Sequence, residues 1–98
     1  MLVHSVYFWL KSGQSDEEIA SFRGGLESLV GIDSARGVYV GTPAATNRPV
    51  IDRSYTFALT VLFDDMAGHD AYQVHPLHTE FLKTFGSRWE RVVIYDAE

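Results

Sequence analysis

Residues Leu2 to Lys11 read as a β-strand that is apolar on both faces, and this constrains the fold more than any other feature. Leu2, Val6, Phe8 and Leu10 point one way with His4 among them, while Val3, Tyr7 and Trp9 point the other. Such a strand belongs in a sheet whose two faces are both covered. With 98 residues the chain makes one domain spanning 1–98, and a chain this short buries only about two-thirds of its unfolded surface. Little of it remains to cover a second sheet face, so another chain must do so.

The rest of the sequence fixes how the first face is covered. Ser15 with Glu18 three residues on makes a capping box, and Ile19, Phe22, Leu26, Leu29 and Val30 then recur at helical steps, with Gly31 as the stop. The pair Gly24-Gly25 inside this helix marks a close approach or a weak helix. Arg36 to Thr42 reads as a second strand and Pro43 to Asp52 as an exposed loop. Ser54 to Phe63 is a third strand, with Tyr55, Phe57, Leu59, Val61 and Phe63 on one face and Thr56, Ala58, Thr60 and Leu62 on the other. Asp64-Asp65 caps a helical segment that Pro76 interrupts, and a second segment begins with Pro76 at its first position, carries Leu77, Phe81, Leu82 and Phe85, and ends at Gly86. Trp89 to Asp96 is the last strand.

The order β-α-β-β-α-β predicts an α+β, ferredoxin-like domain with a four-stranded antiparallel sheet and its helices on one face. The other face presents Val3, Tyr7 and Trp9 from the first strand, Thr60 and Leu62 from the third, and Val93 and Tyr95 from the last. An identical subunit is the simplest cover, which predicts a homodimer. The formal charge of −5, with eight Lys plus Arg spread along the chain, argues against nucleic acid as a partner. The absence of cysteine excludes disulfides and thiolate chemistry. The apolar N-terminus has no basic flank or cleavage site and is too short to span a bilayer, so the expectation is a soluble, cytoplasmic protein without membrane contact.

His4-Ser5-Val6-Tyr7-Phe8-Trp9-Leu10-Lys11 and Tyr72-Gln73-Val74-His75-Pro76-Leu77-His78, with Val38-Tyr39-Val40-Gly41 and Trp89-Glu90-Arg91, resemble the stress-responsive A/B barrel (Dabb) proteins. The resemblance runs over essentially the whole chain and implies a dimeric α+β barrel in which two sheets face one another. One branch, polyketide cyclases of the olivetolic acid cyclase type, performs a cofactor-free aldol cyclisation in a pocket between sheet and helices. The resemblance to it places the catalytic Tyr and His on Tyr72 and His78 and a pocket His on His4. Where that branch has a further His and Tyr, this sequence has Phe57 and Leu26.

The residues themselves allow that chemistry. His78 falls in the first turn after Pro76, where the helix's positive end disfavours an imidazolium, so a neutral ring can accept a proton while Tyr72 donates to a developing enolate. The alternative is that Tyr72 and His78 brace the break at Pro76 by hydrogen-bonding freed backbone groups. His4, alone on an apolar face, reads as a satisfied core residue or as a pocket polar group. His75 is expected to point outward and His69 to lie on the surface.

A pocket would be walled by Phe8, by Phe22 and Leu26 of the first helix, and by Phe57, Leu59 and Val61 of the third strand, closed by Phe81, Trp89 and Ile94. No cofactor is predicted. A metal set built on His75 and His78 with Glu80, Asp70 or His69 lacks a recognised ligand spacing, so no metal is assigned. Three function classes follow: a small-molecule-binding dimer acting as a cofactor-free lyase or cyclase on a carbonyl compound, a non-catalytic stress-responsive ligand-binding or interaction module, and a cofactor-independent monooxygenase.

Overall fold

The computed structural model describes residues 1–98. Four strands, β1 (Leu2–Leu10), β2 (Gly37–Gly41), β3 (Phe57–Phe63) and β4 (Trp89–Ala97), form an open antiparallel sheet in the order β2-β3-β1-β4. Three helices, α1 (Asp16–Glu27), α2 (Met66–Val74) and α3 (Pro76–Phe85), lie on one face of it. This is the predicted ferredoxin-like α+β arrangement, with the second helical region broken into two. No helix is long and apolar enough to cross a membrane.

Alternation along β1 sets the layers. Leu2, His4, Val6 and Phe8 are buried under the helices, and β3 presents Phe57, Leu59, Val61 and Phe63 beside them. From α1, Phe22 and Leu26 complete this core with no exposure at all, each worth roughly 2–3 kcal/mol of transfer free energy. The helix starts where the sequence requires: Ser15 Oγ accepts from Glu18 N–H, and Glu18 Oε1 accepts from Ser15 N–H at 3.1 Å. Asp65 likewise caps α2 by accepting from Gly68 N–H at 3.0 Å.

Several expectations are corrected. The first helix does not continue to Gly31; a 3-10 turn, Ser28–Gly31, follows it, and this tighter winding buries Leu29 while turning Val30 out to 68% exposure. The second strand is shorter than Arg36 to Thr42. The third begins at Phe57, not Ser54: Thr56 N–H still donates to the Phe8 carbonyl at 2.7 Å, but the remaining links to β1 here run through side chains, Trp9 Nε1 donating to Ser54 Oγ at 3.0 Å and Leu10 N–H to Thr56 Oγ1 at 3.0 Å. Tyr55 therefore leaves the face of Phe57 and packs against Tyr7 on the opposite side, ring centroids 5.1 Å apart.

β4 contains a bulge. Trp9 pairs with Arg91 and Leu10 with Trp89, which leaves Glu90 as an extra residue. Its insertion lets Trp89 pack on Phe8 and Phe81 while Val92, Ile94 and Asp96, opposite Phe8, Val6 and His4, share that same face. Val93 and Tyr95 point to the other side.

Candidate functional site

Between the sheet and α2 and α3 lies a cavity of about 260 Å³. Val6, Phe8 and Leu59 form its floor, Leu29 and Phe81 its roof, and it opens past Leu82, Val92 and Ile94 along the β4 edge that no helix covers. Four polar side chains reach it: His4, Tyr72, Gln73 and His78.

Pro76 creates the geometry that brings Tyr72 and His78 together. Without an N–H, Pro76 ends α2 and restarts the chain as α3, so that His78 returns over Tyr72 with ring centroids 4.8 Å apart and planes at 61°. His75 holds the break: its Nδ1 accepts from Leu77 N–H at 3.1 Å, and its carbonyl accepts from His78 and Thr79 N–H. Leu77 N–H is thereby withdrawn from the Gln73 carbonyl. That carbonyl lies near the His78 ring without a well-formed hydrogen bond, and His78 Nδ1 is buried with no partner. Tyr72 makes no side-chain hydrogen bond within the protein. His75, expected to point outward, is half-buried as the cap of α3.

Burial pushes His78 below the usual histidine range, with the nearby His4 adding to the effect and the Gln73 carbonyl opposing it. Burial alone raises the Tyr72 phenol far above its ordinary value. At neutral pH the cavity therefore holds an uncharged imidazole that can accept a proton beside an un-ionised phenol that can donate a hydrogen bond.

His4 is 3% exposed and is not alone on its face. Its Nδ1 lies 2.5 Å from Asp96 Oδ1, across the β1–β4 pairing. His69 is no surface residue; on α2 it shares the inner face with Tyr72 and Gln73, its ring centroid 5.4 Å from that of His4 and its Nε2 4.0 Å from Asp96 Oδ2. The conceivable metal set around His75 and His78 does not assemble, since His75 Nδ1 is engaged at the α3 cap.

Of the predicted wall, Phe8, Leu59, Phe81, Trp89 and Ile94 line the cavity. Phe22, Leu26, Phe57 and Val61 do not; they fill the solid core, where Phe22 stacks on Phe57 at 5.8 Å. Sequence reasoning did not assign Val6, Leu29, Gln73, Leu82 and Val92 to the lining, and it missed Asp96, whose position two residues after Ile94 and opposite His4 was the available signal.

A family model described as the stress responsive A/B barrel domain matches residues 2–98. The chain belongs to this family. A stress-response A/B barrel domain-containing protein of Arabidopsis thaliana is 27% identical over 84 residues, 85% of this chain and 75% of that one. Among solved structures, a dimeric ferredoxin-like protein of unknown function from Bacteroides fragilis is 26% identical, with a TM-score of 0.75 over 99% of this chain and 94% of its own. A hydroxynitrile lyase from Passiflora edulis is 24% identical, with a TM-score of 0.71 over 98% and 90%.

On the helix-free face of this A/B barrel domain, Tyr7 stacks edge-on against Tyr55 and Tyr95, and Arg91 lies 4.2 Å above the Trp9 ring. Together with Val93 and Asp52 these residues border a shallow depression of about 350 Å³. Val3 and Leu62, and Ser5 and Thr60, are register partners on the same face. Arg91 is a charge that the sequence reading did not place there.

Proposed function

We propose that this A/B barrel domain binds a small, largely apolar carbonyl compound in the cavity under α2 and α3 and carries out cofactor-independent proton transfer on it, of the kind that makes or breaks a carbon–carbon bond beside the carbonyl. One observation carries the reading: an uncharged His78 and an un-ionised Tyr72 face the same apolar cavity, and neither side chain has a hydrogen-bond partner of its own in the protein. Buried polar groups kept only for structure are normally satisfied, and His75 already performs the bracing that a structural role would require. His78 takes the proton from carbon or hydroxyl, and the Tyr72 O–H supports the oxyanion that develops. The hydroxynitrile lyase built on this fold supports the view that the fold accommodates such chemistry. A cavity of about 260 Å³ restricts the ligand to a short or single-ring molecule.

The test is turnover by wild type and His78→Ala of two substrate classes, an aromatic hydroxynitrile and a short poly-β-keto thioester. Loss of a general base lowers turnover by about 100-fold or more. Equal rates in the two proteins would reject His78 as the base. A ligand retained through purification, seen by native mass spectrometry with no turnover of either class, would favour the carrier reading instead.

The helix-free face is completed by a second copy of the chain. Its aromatic cluster of Tyr7, Tyr55, Tyr95 and Trp9 supports this assembly, as does the dimeric state of the Bacteroides fragilis protein.

A further inference from the structure

We propose that His4 Nδ1, His69 Nε2 and the Asp96 carboxylate form a binding site for a first-row divalent transition cation of the zinc kind. The three side chains come from β1, α2 and β4, and their donor atoms all lie within 4.8 Å of one another. Each imidazole addresses a different carboxylate oxygen, His4 at 2.5 Å from Oδ1 and His69 at 4.0 Å from Oδ2. Around an ion with bonds of about 2.0–2.1 Å the donors stand roughly 3–3.5 Å apart, so one contact must lengthen and the other shorten. A turn of the Asp96 side chain, which is 41% exposed, does both.

A second observation is independent of those distances. His69 Nδ1 faces Asp70 Oδ1 at 3.0 Å. That carboxylate accepts a hydrogen bond from Nδ1–H and so leaves the Nε2 lone pair directed into the cluster, the carboxylate–histidine arrangement that orients metal ligands. A simple His4–Asp96 ion pair needs no second imidazole aimed at the remaining oxygen. The Gln73 amide nitrogen stands 3.4 Å from His69 Nε2; turned end for end, the amide presents an oxygen there as a fourth donor.

The donor set selects the ion. Two imidazoles and one carboxylate, without thiolate, suit Zn²⁺ or Co²⁺, whereas Mg²⁺ and Ca²⁺ demand oxygen throughout. His4 and Gln73 also line the cavity, so the site borders it. The site adjoins the His78–Tyr72 pair, and its existence does not depend on what the cavity binds.

The full chain, freed of metal with chelator, is titrated with Zn²⁺ by calorimetry and with Co²⁺ by visible absorption. One ion binds per chain; His69→Ala and Asp96→Asn each weaken binding by about 100-fold, Asp70→Asn by about 10-fold, and excess Mg²⁺ does not compete. His75→Ala leaves binding unchanged. Asp96 lies at the exposed end of an edge strand, so Asp96→Asn remains a decisive variant even if His69→Ala fails to fold. Absence of stoichiometric Zn²⁺ binding by wild type, undiminished binding in Asp96→Asn, or displacement by Mg²⁺ would overturn the site.

Discussion

His78 is held in a setting that resists its charge, and this links a single ring to the pH dependence of the whole chain. With its folded pKa pushed below the ordinary value by burial, the unfolded chain takes up a proton more readily than the folded one. Stability is therefore full above about pH 6.5 and declines as pH falls through the depressed value, the slope following the extra proton bound by the unfolded state. In thermal unfolding with chelator present, wild type should lose more melting temperature than His78→Gln between about pH 7.5 and 5.5. Identical slopes would show that the imidazolium meets no penalty in the fold. Tyr72 and His78 were legible in the sequence through the family resemblance of the Tyr72-to-His78 segment, and His4 also as a polar group set among the apolar positions of β1. Asp96 and His69 were not: alternation from Ile94 gives the face of Asp96, but its place opposite His4 is set by the β1–β4 register, which no local pattern announces, and His69 faces inward only because α2 begins early enough to place it one turn before Tyr72.

At the level of the element, α1 shows that two adjacent glycines can have opposite meanings. A methyl group on Gly24 would meet nothing, whereas one on Gly25 would collide with the Phe85 ring, which is packed against Phe22 and Phe81 at 5.6 and 5.4 Å. Gly24→Ala should stabilise the domain by about 0.5–1 kcal/mol through helix propensity, while Gly25→Ala should destabilise it, as measured by denaturant unfolding. A shift of the same sign in both would mean that Phe85 yields freely. Caps, helix breaks and strand alternation were readable because they are set by neighbours in sequence: Ser15 with Glu18, Asp65 with Gly68, Pro76 with His75. The 3-10 turn after Glu27 and the detour of Tyr55 were hidden, since tertiary partners decide both.

For the whole molecule, the sheet is a partition with a chamber on one side and an aromatic wall on the other. Trp9→Glu or Val93→Glu would bury a charge at the centre of the contact between copies, so sedimentation should show monomer where wild type shows dimer. An intact dimer in both variants would place the contact elsewhere. The pairing of β4 with β1 assigns its side chains to chamber or wall, and the extra residue Glu90 brings Trp89 to the chamber side with Val92, Ile94 and Asp96. Loss of Glu90 would leave Trp89 opposite Leu10 and Arg91 opposite Trp9, whereas one residue inserted between Arg91 and Val92 would exchange the downstream sets at a stroke, sending Tyr95 indoors and Asp96 towards the twin. Ligand selection and self-association in this domain are thus written in alternate letters of one strand, and a change in its length rewrites both.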